Sequence, residues 1–176
     1  MADGGPSSKI STLRLEVDVV HHGELWRQAA STEAMLKRAA RAALLGAPRE
    51  AQGTYQVTIL LTDDAEMKEL NRTWRGKDAP TNVLSFPAGD EPTEPGLLGD
   101  IVLAYETILQ EARDSGIRFA DHVQHLVVHG LLHLLGFDHV TDKEAERMEN
   151  LERTALASLG IADPYAESAR PAEVSP

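Results

Sequence analysis

His129-Gly130-Leu131-Leu132-His133-Leu134-Leu135-Gly136-Phe137-Asp138-His139 is the stretch from which the rest of the chain can be read, its histidines falling at intervals of four and then six. A helix turns once in about 3.6 residues, so His129 and His133 share one face. Gly136 suits the left-handed position that ends a helix, and a turn through Phe137 and Asp138 then carries His139 back toward the other two. Three imidazoles converging on one point make a transition-metal site, of which zinc is the commonest occupant. Three protein ligands leave the fourth tetrahedral position to water, as in catalytic sites. A histidine pair at i and i+4 on an apolar helix is often unrelated, one buried and one exposed. The third histidine beyond a helix-ending glycine separates the two cases.

Outward from that motif, Phe119 to Leu135 reads as a central helix bearing His122, His125, His129 and His133. At about 100° per residue the four fall within an arc of roughly 80°. Only one consecutive set can share an ion with His139, and His129 and His133 lie nearest the returning turn. The expected ligands are therefore His129, His133 and His139. His125 has three readings, a structural hydrogen-bonded histidine, a group behind the ligands or one facing the substrate, and His122 is expected partly exposed.

Before this helix the pattern alternates between strands and helices. Leu13 to Val20 alternates apolar and charged residues, as a strand with one wet face does. His21-His22-Gly23 breaks it, and adjacent histidines point oppositely on a strand, so a solvated pair is expected there. Trp26 is expected to pack under the first helix, which Ser31-Thr32-Glu33 opens and Gly46 with Pro48 stops. Tyr55 to Leu61 is the second strand. Asp63 and Glu66 form a capping-box pattern for a helix that carries Met67, Leu70 and Trp74 and ends at Arg75-Gly76. Val83 to Phe86 and Gly99 to Ala104 are short strands joined by a Pro/Gly/acid loop, which predicts an antiparallel pair. Glu106 to Arg113 is helical. Thr141 to Glu144 is a capping box for the last helix, whose apolar face is Met148, Leu151, Ala155 and Leu159.

The 176 residues suffice for one domain with a core, and 42% hydrophobic with 26% charged residues is ordinary for a soluble protein. The chain divides into a polar N-terminus over 1–10, a metal-dependent hydrolase domain over 11–160 and a proline-bearing tail over 161–176, both ends expected disordered. The first residues lack the apolar core of a signal peptide, and no run reaches membrane-span length. With no cysteine, any metal must rest on His, Asp or Glu. A net charge of −11 counts against general polyanion binding, although Lys68, Arg72, Arg75 and Lys77 gather in one segment.

The histidine motif matches the three histidines and the glycine of the metzincin pattern H-E-x-x-H-x-x-G-x-x-H, but Gly130 stands where the glutamate belongs. That carboxylate takes a proton from the metal-bound water in peptidases, and glycine cannot. Peptide hydrolysis is thereby disfavoured.

The run His129 to His139 resembles the His-Gly-x-Leu-His-Leu-x-Gly-Tyr/Phe-Asp-His signature of the YbeY-type endoribonucleases, also called ribosomal RNA maturation factors. Three further blocks agree in order: Leu70-Asn71 through Arg75-Gly76-Lys77-Asp78, Pro80-Thr81-Asn82-Val83-Leu84-Ser85-Phe86-Pro87, and Gly99-Asp100-Ile101. Asn82 departs from the aspartate more frequent in the family. The resemblance implies an α+β single domain, with a mixed four-stranded sheet, about five helices and a zincin-like metal helix. It also implies metal-dependent cleavage of RNA in small-subunit ribosomal RNA maturation and ribosome quality control, in the cytoplasm. One Zn2+ per chain is the favoured cofactor, another divalent transition metal the alternative. The implied partners are ribosomal RNA precursor and, beside it, ribosomal proteins or an assembly GTPase, with no membrane.

The family's metal ligands carry over to His129, His133 and His139, and its functionally required arginine to Arg75 as the catalytic residue. A guanidinium can grip two non-bridging phosphate oxygens at once; otherwise Arg75 is a solvated arginine favoured at a helix C-terminus. Asp100 and Asp138 each have two readings, orienting a ligand histidine or capping a turn. The attacking group, a metal-bound hydroxide or the RNA 2′-hydroxyl, stays open. The alternative of another class is a non-catalytic ribosome-assembly factor with a structural metal; a metallopeptidase ranks behind it.

Overall fold

A computed structural model of the chain describes residues 12–29, 33–48, 52–90 and 95–166. The segment 1–10, the Ser31-Thr32 cap and residues 167–176 lie outside the described residues. Strands β1 (Arg14–His21), β2 (Thr54–Thr62), β3 (Val83–Pro87) and β4 (Gly96–Ala104) form one sheet in the order β1-β2-β4-β3. β1 and β4 run parallel to β2, whereas β3 pairs antiparallel with β4 along the edge. Helices α1 (Glu24–Gln28), α2 (Glu33–Gly46), α3 (Asp64–Arg75), α4 (Tyr105–Ser115), α5 (Phe119–Leu134) and α6 (Asp142–Ser158) complete a mixed α+β domain.

Alternation along the strands divides the interior in two. Tyr55, Val57, Ile59 and Leu61 of β2, with Ile101 and Leu103 of β4, join the main core with α2, α5 and α6. Met67, Leu84, Val102 and Ala104 form a smaller cluster under α3 on the opposite face. Each large aliphatic side chain so buried contributes about 1.5–3 kcal/mol. The short α1 is one helix more than expected. Its Trp26, 1% exposed, meets the rings of Tyr105 and Phe119 and donates its indole N–H to the Thr62 carbonyl at 2.7 Å. The aromatic contacts of Trp26 are thus to α4 and α5.

Helix α5 is buried on most of its circumference, through Val123, Leu126, Val127, Val128, Leu131 and Leu132, leaving the histidine stripe as its more accessible face. Its approach to the sheet depends on Gly130, where a Cβ would lie 3.0 Å from Ile101 Cγ2 and 3.1 Å from Ser85 Oγ. Ser85 also donates its hydroxyl to the Gly130 carbonyl at 3.2 Å. The missing glutamate of the peptidase motif therefore has a packing reason, since even a Cβ there would crowd the Ile101 and Ser85 side chains of β4 and β3.

Two caps differ in detail. Thr141 and Glu144 form the full capping box of α6. At α3, Asp63 accepts from the Glu66 N–H at 2.9 Å, but the Glu66 carboxylate instead serves the Thr62 hydroxyl and His22 Nδ1. His22 is thus a paired histidine at the end of β1. Residues 161–166 return over α6: Ile161 packs on the core and Asp163 accepts from Arg153.

Candidate metal centre

The end of α5 builds the turn that the motif requires. Gly136 takes φ 91°, the Gly136 N–H donates to the His133 carbonyl at 2.9 Å, and the Phe137 N–H donates to the Leu132 carbonyl at 3.0 Å. This paired 5→2 and 6→1 arrangement is the Schellman stop, in which a left-handed glycine reverses the chain. Asp138 then accepts the His139 N–H at 2.8 Å, so its carboxylate holds the turn.

The outcome is convergence. One nitrogen from each of His129, His133 and His139 lies within 4.8 Å of the others, and the group can hold a metal ion. The ring centroids are 4.6 Å apart for His129 and His133, 5.6 Å for His129 and His139, and 5.0 Å for His133 and His139. His129 Nε2 and His133 Nε2 face each other at 3.1 Å. Two of the rings are half-buried and His139 is exposed, which leaves the site open on one side.

Behind the histidines stands Glu152, a carboxylate only 1% exposed. It meets His129 Nδ1 at 2.5 Å, His125 Nε2 at 2.9 Å and the Tyr165 hydroxyl. An ionised carboxylate only accepts, so His129 carries its proton on Nδ1 and presents the Nε2 lone pair to the cluster. Burial alone would raise the Glu152 pKa, but hydrogen bonds from His125, His129 and Tyr165 carry it from 4.5 down to about 2. Burial and the Glu152 carboxylate push the Tyr165 hydroxyl well above its usual value, keeping it a donor. At His133, burial and then the neighbouring His129 and His139 lower the pKa from 6.5 to about 4. Near neutral pH this imidazole is uncharged, the form that ligates metals. Convergent lone pairs, an uncharged ring and a fixed tautomer fit a divalent transition metal.

Arg75 reaches the same place from α3. It lines a cleft of about 410 Å³ with His133, His139, Ser85, Pro87, Phe137 and Asp138. Its side chain is exposed and makes no hydrogen bond or ion pair among the described residues.

Other candidate residues lie elsewhere. His122 is partly exposed, as expected, and Glu111 holds its Nε2 at 2.7 Å. Asn82 donates to the same Glu111 carboxylate at 3.0 Å and accepts from the Val83 N–H at 2.6 Å. An aspartate at 82 would set two carboxylates face to face, which gives Asn82 a structural reason. Asp100 points to the other face of the sheet, away from the histidines. Arg72 is paired with Glu69 at 2.5 Å and Lys68 with Asp78 at 3.7 Å.

Fold and site together define a class: a small α+β domain whose central helix, with its terminal turn, presents three convergent histidines beside an exposed arginine. The model of the family described as endoribonuclease YbeY matches residues 24–160. The chain is 51% identical to the endoribonuclease YbeY of Paramagnetospirillum magneticum over 163 residues, covering 89% of this chain and 99% of that one. It is 48% identical to the endoribonuclease YbeY of Novosphingobium aromaticivorans, over 86% of this chain and 95% of the relative. The solution structure of TM1509 from Thermotoga maritima shares the fold, with a TM-score of 0.55 at 22% identity, over 92% of this chain and 100% of that one. The chain belongs to the endoribonuclease YbeY family.

Proposed function

We propose that the protein is a zinc-dependent endoribonuclease that cuts ribosomal RNA during small-subunit maturation, with His129, His133 and His139 as metal ligands and Arg75 as the catalytic arginine. The name of its relatives supports RNA cleavage. The observation that carries the site assignment is the shared cleft, lined by Arg75, which has no partner among the described residues, and by two of the three histidines. The working domain is 11–160, and the setting is the cytoplasm, beside ribosomal proteins or an assembly GTPase. Among the described residues no helix is long and apolar enough to cross a membrane.

The chain's own groups divide the work. Glu152 fixes the His129 tautomer, and the Schellman turn at Gly136 delivers His139. A divalent ion held there supplies Lewis acidity and offsets phosphate charge. Arg75 binds two non-bridging oxygens of the scissile phosphate and stabilises the charge that grows on them. With Gly130 in place of a carboxylate, no side chain at that position accepts a proton as a peptidase glutamate does.

The test is Arg75→Ala under single-turnover conditions, with RNA affinity measured on the same preparation. Loss of such an electrostatic stabiliser slows the maximal rate about 10²–10³-fold. Affinity should fall only modestly, alike across RNA sequences, as for one lost phosphate contact. Arg75→Lys should recover little, because an ammonium lacks the two-pronged geometry. Equal losses of rate and affinity would reduce Arg75 to a binding residue.

A further inference from the structure

The face of the sheet opposite the histidines carries a second cleft of about 710 Å³, and Pro87 of β3 lines both. Its walls are mainly apolar, from Val20, Leu60, Leu70, Phe86 and Trp74, with His22 and Thr58 adding polar groups. Trp74 is 69% exposed, whereas the chain's other tryptophan is 1% exposed. The Trp74 ring meets Phe86 at a centroid distance of 6.0 Å and 63° between planes, so Phe86 sets its orientation without covering it. An indole held by one neighbour and otherwise open is a platform for a flat partner.

Continuity with the first cleft says which partner. Trp74 and Arg75 are consecutive in the last turn of α3. One lines the groove on the outer face of edge strand β3, the other the cleft on its inner face. A strand of RNA held at Arg75 has only to pass the Pro87 edge to put its next base over Trp74. Asp100 lines the groove too; its charge repels a phosphate but accepts from the exocyclic amine of a base. The groove therefore suits a base and not the backbone.

We propose that this groove is a nucleobase subsite, in which Trp74 stacks a base adjoining the phosphate gripped by Arg75. The proposal rests on the endoribonuclease function above. Base stacking on an aromatic side chain contributes about 1–3 kcal/mol, equivalent to about 5–150-fold in affinity.

The experiment compares wild type, Trp74→Phe and Trp74→Ala as full-length, zinc-loaded proteins on a single-stranded RNA hexamer and on the same hexamer with abasic positions flanking the cut. Concentration-dependent single-turnover rates separate half-saturation from maximal rate. Trp74→Ala should raise the half-saturating concentration at least about fivefold, with a smaller loss in maximal rate, the reverse of Arg75→Ala. Trp74→Phe should keep most of the affinity. Abasic RNA should bind wild type more weakly and be indifferent to Trp74→Ala. RNA should also quench wild-type tryptophan emission, since Trp26 is buried. If wild type cuts RNA while Trp74→Ala binds it equally well, the subsite alone falls. Unaltered RNA affinity with lost binding to ribosomal protein would make the groove a protein-docking surface and overturn the proposal. A wild type that neither binds nor cuts RNA would overturn both this subsite and the proposed function.

Discussion

Replacing Glu152 by glutamine keeps the shape of the side chain and removes its ability to accept from every side. The carboxylate takes bonds from His129 Nδ1 at 2.5 Å, His125 Nε2 at 2.9 Å and the Tyr165 hydroxyl. An amide offers one accepting oxygen and an NH2 that needs an acceptor of its own. If the NH2 turns to His129, its Nδ1 must accept, the ring proton moves to Nε2, and the lone pair facing His133 is lost. Outer-sphere partners of this kind are worth about 10–100-fold in metal affinity, or about 1.4–2.7 kcal/mol. Glu152→Gln should therefore weaken zinc binding by that factor while the protein stays folded. The assay is competition against a chromophoric chelator, with the His129 tautomer read from long-range nitrogen–proton NMR couplings in the metal-free protein. Wild-type zinc affinity together with an unchanged Nδ1–H tautomer would refute the reasoning.

Gly130→Ala should destabilise the fold by about 1–3 kcal/mol, because its Cβ would press on Ile101 and Ser85; an unchanged urea midpoint would contradict this. Zinc-loaded wild type should not hydrolyse casein, and Gly130→Glu should create no peptidase, for the same packing reason; chelator-sensitive proteolysis by either would overturn that claim. The His133 ring should titrate near pH 4 in the metal-free protein, against an ordinary value of 6.5. Between those values the unfolded chain binds the proton and the folded one does not, so this group's stabilisation is complete above pH 6.5 and is lost as pH falls through 4. An NMR midpoint near 6.5 would contradict the burial assigned to this ring.

Much of the site was legible because local rules govern it. The four-residue spacing and the helix-ending glycine dictate the convergence of His129, His133 and His139 with little help from the rest of the fold. The strands and the antiparallel β3–β4 pair follow equally from alternation and a short connection. Glu152 was not legible. It sits four residues after Met148 and three before Ala155, within the apolar stripe, but α6 also carries Glu144, Glu146 and Glu149, among which it does not stand out. A charged residue at the stripe's spacing was the available signal. The exposure of Trp74 was not legible either: it continues the face of Met67 and Leu70, yet α3 ends there at the sheet edge and leaves it exposed. The meeting of Arg75 with the histidines is tertiary and has no local signature. Neither has α1, whose five residues are too few to show a helical period.

The central claim is that three histidines of this chain hold the one ion on which RNA cleavage depends. Its most direct test is to strip the protein with chelator, titrate zinc back, and follow both bound metal by mass spectrometry and cutting of a ribosomal RNA precursor fragment. Cleavage should be absent from the stripped protein, rise in proportion to zinc and level off at one equivalent per chain, with His133→Ala silent throughout. Cutting that survives stripping, or a fully loaded protein that leaves the RNA intact, would contradict the claim, and the second result would favour a ribosome-assembly factor with a structural metal.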